Sequence, residues 1–189
     1  MTTLDSLDKQ LVKALQEDGR LSLVKLGRRL GLSHVAVKKR LNKLIEQGAV
    51  KVQADLGIKQ LGLRLLIVLI EVESRDALDR LCEVFSRCPR MLMLSTLIAG
   101  FNLMALMVAE DERVVESVTT CCAVRDSPGI KRTEVYLVGN VVLPSHLPLR
   151  VVVERGNRAP CDRECLTCPR FKEERCPGCP SVRGYRGPL

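Results

Sequence analysis

The chain contains 189 residues, which allows one or two domains with a substantial hydrophobic core. Hydrophobic residues make up 46% of the sequence and aromatic residues only 3%, so the composition argues against disorder and predicts a core of aliphatic side chains. The formal net charge is +8, and residues 1–60 and 149–189 are basic whereas residues 61–148 are slightly acidic. Basic ends of this kind favour a polyanionic partner.

Two short helices separated by a tight turn are predicted near the N-terminus. Ser22 is placed to cap a helix over Leu23–Leu30, and Ser33 is placed to cap a helix over residues 34–46. Between these two helices, Gly31 and the residue after it leave room only for a tight turn. This spacing is typical of a helix-turn-helix, and we expect its partner to be double-stranded DNA.

The second of these helices has two contrasting faces. Its inward stripe is predicted to be apolar and consists of Val37, Leu41, Leu44 and Ile45. The opposite face carries long cationic and amide side chains, which are suited to phosphates and base edges. The predicted DNA contacts are Ser22, Ser33, His34, Val35, Lys38, Lys39, Asn42, Lys43 and Lys51.

Segments on either side complete a winged helix-turn-helix domain, assigned to residues 1–52. A first helix is predicted over residues 5–17, with Asp5 as its N-cap. Residues 49–55 alternate small or apolar with polar side chains, which predicts a short strand or wing that lays Lys51 along a backbone phosphate. Residues 53–62 are assigned to a linker or hinge, with a loop over 56–62.

The middle of the chain, residues 63–143, is predicted to be a ferredoxin-like α+β domain of order βαββαβ. Consecutive apolar positions at residues 66–70 and 103–108 predict that both sheet faces are buried, the second of them against another copy in a homodimer. The predicted strands are 63–73, 90–99, 103–109 and 129–142, and the predicted helices are 75–88 and 111–125.

Residues 4–62 and the domain that follows resemble the leucine-responsive regulatory protein/AsnC (Lrp/AsnC) family of prokaryotic transcription regulators, with archaeal-like character. The resemblance is carried by Leu7-Asp8-Lys9-Gln10, Gly19-Arg20-Leu21-Ser22, Gly31-Leu32-Ser33, Gln47-Gly48-Ala49-Val50 and Ala99-Gly100-Phe101-Asn102-Leu103.

That resemblance implies an amino-acid-sensing domain of the RAM or ACT type, which dimerises and assembles further into tetramers or octamers. It also implies that a small effector, usually an amino acid, binds near the turn formed by Gly100, Phe101 and Asn102. Asn102 stands where an acidic residue is common in the family.

The C-terminal extension begins with a linker at residues 144–160, in which residues 150–154 are predicted to form one more strand. A module over residues 161–189 then contains five cysteines with metal-ligand spacing and almost no apolar residues, so we expect metal binding to fold it. The cysteines are Cys161, Cys165, Cys168, Cys176 and Cys179.

The spacing leaves the metal open between Zn²⁺ and a [4Fe-4S] cluster. Two pairs separated by two residues suit zinc, but the seven residues between the pairs are fewer than in zinc ribbons, whereas nearby prolines are typical of iron–sulfur sites. The fifth cysteine, most simply Cys161, is either unused in a structural site or exchanges with a ligand in a redox or iron sensor.

Other features define the expected location and exclude catalysis. The N-terminus lacks a basic leader, and the longest apolar run, residues 65–70, is too short to span a bilayer, so we expect a cytoplasmic protein with reduced cysteines.

No serine, cysteine or carboxylate forms a recognisable catalytic set with His34 or His146, so no enzyme is predicted. The remaining cysteines, Cys82, Cys88, Cys121 and Cys122, are expected to be buried apolar residues.

An alternative function is left open by the basic C-terminal end. Its sequence Arg183-Gly184-Tyr185-Arg186-Gly187 suits contact with RNA, the ribosome or RNA polymerase, with a structural zinc in the tail. In that case the helix-turn-helix contacts protein rather than DNA.

Overall fold

The computed structural model describes residues 3–189 and divides the chain into two compact units, one ending at Ala54 and one from Asp55 to Leu189. The N-terminal unit consists of α1 (Ser6–Glu17), α2 (Leu23–Leu30) and α3 (His34–Glu46). These bounds confirm the three predicted helices of the helix-turn-helix.

The helix starts follow from side-chain capping. Asp5 and Asp8 form a capping box, in which each carboxylate accepts the backbone N–H of the other residue. The hydroxyls of Ser22 and Ser33 accept backbone N–H groups of the first turns of α2 and α3 at 3.3 and 3.1 Å. Gly31 ends α2 in the left-handed region, with φ of 66°, a conformation that glycine adopts without a steric penalty.

The core of this unit is a small aliphatic cluster. Leu11, Leu26, Val37 and Leu44 are almost completely buried, with Leu41 packed against them. The prediction for Ile45 is wrong, since 44% of this residue is exposed. The reason is that α1 and α2 cover only one side of α3, so the buried stripe is narrower than the sequence pattern indicates.

The predicted strand or wing over residues 49–55 is also wrong. The backbone N–H groups of Ala49 and Val50 both donate to the Leu44 carbonyl and so complete the C-terminal end of α3. No part of residues 51–55 is in a strand. An alternating segment forms a strand only when a neighbouring strand pairs with it, and the first strand of the chain lies beyond this segment, in the other unit.

The C-terminal unit confirms the order βαββαβ. Its antiparallel sheet has the order β3-β4-β2-β5, as in ferredoxin-like folds. The elements are β2 (Arg64–Val72), α4 (Arg75–Ser86), β3 (Met91–Thr96), β4 (Leu103–Ala109), α5 (Glu112–Thr120), α6 (Ala123–Asp126) and β5 (Ile130–Leu137), with β1 (Leu56–Gly57), β6 (His146–Leu147) and α7 (Pro169–Lys172) outside the repeat.

The second predicted helix of the repeat is interrupted. Instead of one helix over residues 111–125, α5 ends before Cys121, and Cys122 has an extended backbone that starts α6. The N–H groups of both cysteines donate to the Ser117 carbonyl, which closes α5. This break changes the direction of the chain next to the C-terminal tail.

The two faces of the sheet are buried differently. One face packs against α4 and α5 through a core that includes Leu66, Val68, Phe85 and Met107. On the other face, a second cluster covers one end, where Leu147 of β6 packs with residues of β2 and β4. The rest of that face remains open in the single chain: Met93 is 44% exposed and Tyr136 50%.

Both segments predicted to be linkers are ordered in part. Residues 53–62 contain β1, which pairs with β6 in residues 144–160. The predicted strand over residues 150–154 is wrong, because these residues pair with no strand and Val153 is 86% exposed. None of the helices in residues 3–189 is long and apolar enough to cross a bilayer.

Candidate DNA-binding helix and cysteine cavity

The predicted DNA-binding face of α3 is open to solvent. His34, Val35, Lys38, Lys39, Asn42 and Lys43 are all exposed. Ser22 and Ser33 are exposed as well, but their hydroxyls act as N-caps. Lys51 is exposed on the irregular segment after α3 and not on a wing.

Arg40 belongs to the same basic run but faces inward. Its Nη1 atom lies 2.5 Å from Asp5 Oδ2 and 2.7 Å from Asp8 Oδ1, so it fastens α3 to the start of α1. The hydrogen bond from the Asp8 N–H and then that from Arg40 lower the pKa of Asp5. The structure therefore separates one structural arginine from the lysines of the open face.

The turn between α2 and α3 depends on a glycine that the sequence pattern does not single out. Gly27 is buried, and a Cβ atom built on it would lie 2.5 Å from the Leu32 carbonyl oxygen. The Leu32 N–H in turn donates to the Gly27 carbonyl at 2.9 Å. The close approach of the two helices therefore requires a residue without a side chain at this position.

At the predicted effector turn, Asn102 has a structural role. Its side chain accepts the Val72 N–H at 2.8 Å and donates to the Val72 carbonyl at 2.9 Å, so both ends of the amide are engaged by the end of β2. Phe101 is covered by the Arg132 guanidinium, 4.4 Å from the ring centre. Gly100 is exposed.

The cysteines converge far more than the sequence predicts. A cavity of about 420 Å³ between the sheet domain and the tail is lined by every cysteine except Cys82. Five of these are the predicted metal ligands of the tail. The other three are Cys88, Cys121 and Cys122, which come from the sheet domain.

Burial acts on the thiols of three cysteines that line the cavity. It raises the pKa of Cys88 and of Cys165 to about 12 and that of Cys122 to about 11. Arg90 and Arg170 also line the cavity, with only 11% and 13% of their side chains exposed. Each of them is paired with a carboxylate, Arg90 with Glu110 and Arg170 with Glu116.

The tail is in contact with the sheet domain. It has its own buried residues, among them Phe171, Val182 and Tyr185, and it packs onto the sheet domain. Arg170 and Arg175 both pair with Glu116 of α5, at 2.8 and 2.7 Å. Residues 161–189 contain few apolar side chains. These are enough to form a core because the sheet domain supplies the surface against which they pack.

Within residues 3–189, no three histidine, cysteine or acidic side chains are already close enough together to hold an ion. The structure thus brings the five predicted ligands to one cavity without forming a closed ligand set. Thiolate sites commonly close when the metal binds, because metal binding and folding are coupled.

Comparison with known proteins finds a match for the N-terminal unit. A model of the AsnC-type helix-turn-helix domain matches residues 4–45, so this segment is similar to domains of that type.

Relatives extend the likeness beyond this AsnC-type domain. The proline dehydrogenase transcriptional activator of Rhizobium radiobacter is 34% identical over 88 residues, which are 46% of this chain. The chain spans 56% of the length of that relative.

Two solved structures share the fold over about three quarters of the chain. AsnC from E. coli, 16% identical, has a TM-score of 0.66 and is matched over 76% of this chain and 97% of its own. A transcriptional regulator from Neisseria meningitidis, solved as a complex with L-Met, is 22% identical with a TM-score of 0.66 over 76% and 94%. The predicted fold, an N-terminal helix-turn-helix followed by an α+β sheet domain, is confirmed. The Rhizobium radiobacter relative is a transcriptional activator by name, in agreement with the prediction that the chain is not an enzyme.

Proposed function

We propose that this protein is a sequence-specific, DNA-binding transcription regulator of the Lrp/AsnC type, whose cysteine cavity holds a metal centre. The observation that carries the first part is the open face of α3 in the AsnC-type domain, where lysines and an asparagine are exposed while Arg40 is withdrawn into the helix packing. Lysines supply phosphate contacts, and an asparagine on this helix reads a base edge.

The DNA test uses sites selected from a random duplex library. We expect Lys38→Ala to weaken binding to all sequences and to reduce the salt dependence of the affinity by about one counterion. We expect Asn42→Ala to relax the base preference at one position of the site and to lower the binding free energy by about 1–3 kcal/mol. Lys13→Ala, an exposed lysine on α1, is the matched control. Unchanged affinity of both α3 variants contradicts the proposal, and salt-resistant binding to RNA alone supports the alternative function.

The active species is a homodimer or a larger assembly. Met93 and Tyr136 belong to a sheet face that one chain leaves open, and a second copy of the same face supplies the apolar cover. Sedimentation compares the mass of the wild-type protein with that of Met93→Glu. We expect a dimer for the wild type and a monomer for the variant, because the new charge would be buried in the interface. A dimer that persists in the variant contradicts the use of this face.

An amino acid effector of the sheet domain is part of the proposal. It is supported by the shared fold with the Neisseria meningitidis regulator solved with L-Met. Binding of the twenty amino acids to the purified protein, followed by DNA titration, tests it. If none of the twenty amino acids binds the protein or changes its affinity for DNA, an effector of this class is contradicted.

The metal centre is a [4Fe-4S] cluster or Zn²⁺, held by cysteines of the tail. The support is the convergence of all five tail cysteines on one cavity, which Arg90 and Arg170 also line. Protein purified without oxygen is analysed for iron, sulfide and zinc, with a Cys165→Ser/Cys176→Ser variant as comparison. Iron with sulfide makes the tail a redox or iron sensor, one zinc per chain makes it structural, and a metal-free wild-type protein contradicts this part of the proposal.

A further inference from the structure

The ligand set of the proposed centre extends beyond the tail. We propose that Cys122 of the sheet domain binds the same metal as the tail cysteines, so that the centre joins the tail to the junction of α5 and α6. This inference rests on the metal part of the proposed function. It concerns a residue that lies 39 positions before the tail module in the sequence.

The first step is the position of Cys122. It starts α6 with an extended backbone but makes no side-chain capping hydrogen bond, in contrast to the caps of α1 to α5. Its thiol lines the cavity instead. The helix is broken at Cys122, and the same residue lines the cavity. The local fold therefore agrees with a role for this thiol in metal binding.

The second step is the neighbour of Cys122. Cys161, the first cysteine of the tail, packs both against the core of the sheet domain, as Cys122 does, and against the small tail core of Ala159, Cys179 and Val182. Cys122 and Cys161 also line the same cavity. A ligand set that contains both residues therefore draws on side chains that already lie around one space.

The third step is charge. A metal bound by four thiolates is anionic, and its burial is favourable only next to compensating positive charge. Arg90 lines the same cavity and pairs with Glu110, and its guanidinium also donates to the Gly178 carbonyl, next to Cys179. The sheet domain thus contributes a guanidinium as well as a cysteine to the surroundings of the centre.

The consequence is a coupling between metal occupancy and the attachment of the tail. With the metal bound, Cys122 ties the tail covalently through the ion to the end of α5. Without it, the tail is attached by ion pairs and its small apolar core. A sensor built in this way transmits loss of the metal directly to the sheet domain.

The test titrates the full-length, reduced protein with Co²⁺, whose charge-transfer absorption reports thiolate ligands. We expect Cys122→Ala to weaken binding by at least about 10-fold, the range seen even for residues that only orient ligands, and to reduce the absorption per metal. Cys82→Ala is the control, because Cys82 lies on α4 outside the cavity. A Cys122→Ala variant that binds like the wild type overturns the inference but leaves the tail site standing.

A second measurement avoids the risk that the variant fails to fold. Wild-type protein is alkylated with and without Co²⁺, and each cysteine is quantified by mass spectrometry. Cys122 is protected by the metal together with tail cysteines, whereas Cys82 is unaffected. Protection of tail cysteines alone overturns the inference. A wild-type protein that binds no Co²⁺ and contains neither zinc nor iron with sulfide overturns both this inference and the metal proposal, while DNA binding is judged separately.

Discussion

Arg90, which precedes β3, and Glu110, which follows β4, form a buried ion pair in which two guanidinium nitrogens donate to both carboxylate oxygens at 2.6 to 3.1 Å. The tail is attached to this pair from two directions. Arg90 also donates to the Gly178 carbonyl at 2.7 Å, and the Tyr185 hydroxyl donates to Glu110. One ion pair of the sheet domain therefore holds the tail within the second Cys-x-x-Cys segment, at Gly178, and again after it, at Tyr185.

Removal of the Tyr185 hydroxyl loosens the tail. Tyr185→Phe keeps the ring but deletes a buried hydrogen bond to a carboxylate, which costs about 1.5–3 kcal/mol. We expect a lower thermal midpoint and faster proteolysis within residues 155–189. Ser86→Ala is the control, since it deletes a hydrogen bond from an exposed hydroxyl to the Glu83 carbonyl at the surface of α4. Equal effects of the two variants would contradict the role of the Glu110 contact.

The parts of the fold that depend on local sequence were predictable. The N-caps Asp5, Ser22 and Ser33 act within three residues of their partners, so their pattern determines the helix starts. The strand predicted over residues 49–55 failed because pairing depends on a distant segment. The break at Cys122 was missed for the same reason, since it is set by packing next to the tail.

The helix-turn-helix requires glycine at position 27. In Gly27→Ala the new methyl group meets the Leu32 carbonyl oxygen, a backbone atom that cannot move alone, so we expect a loss of about 1–3 kcal/mol in the stability of the N-terminal unit. Gly19→Ala is the control, because its nearest contact is 3.7 Å. Circular dichroism melts and DNA binding measure the two variants, and a Gly27→Ala protein as stable as wild type contradicts the argument.

The candidate site was predictable only in part. The spacing of the tail cysteines and the basic pattern of α3 are visible in the sequence, and the structure brings each set to one surface or cavity. Cys88, Cys121 and Cys122 gave no such signal, because they lie in helical or apolar contexts where a cysteine is ordinarily a small buried residue. Their convergence with the tail is a property of the tertiary fold.

Asn102 is expected to tolerate neither alanine nor aspartate. Asn102→Ala leaves the Val72 N–H and carbonyl without their partners, at a cost of about 1–3 kcal/mol. Asn102→Asp retains an acceptor for the N–H but places a negative oxygen against the Val72 carbonyl, so it is also destabilising at neutral pH. Thermal melts compare both with Asn140→Ala at an exposed site. An Asn102→Asp protein more stable than wild type would contradict the hydrogen-bond assignment.

The attachment of the tail to α5 is expected to weaken in acid. Hydrogen bonds from Arg170 and then Arg175 lower the pKa of Glu116 from its usual 4.5 to about 2. Because the folded state favours the charged form, the contribution of Glu116 is fully present above pH 4.5 and is lost as the pH falls through about 2. Hydrogen exchange of the tail between these values measures the loss. In Glu116→Gln we expect this pH dependence to be absent and the amides of the tail to exchange faster at neutral pH. Glu112→Gln is the control and retains the dependence, because the partner of Glu112 is the exposed Arg64. An unchanged acid dependence in Glu116→Gln would assign the effect to another carboxylate.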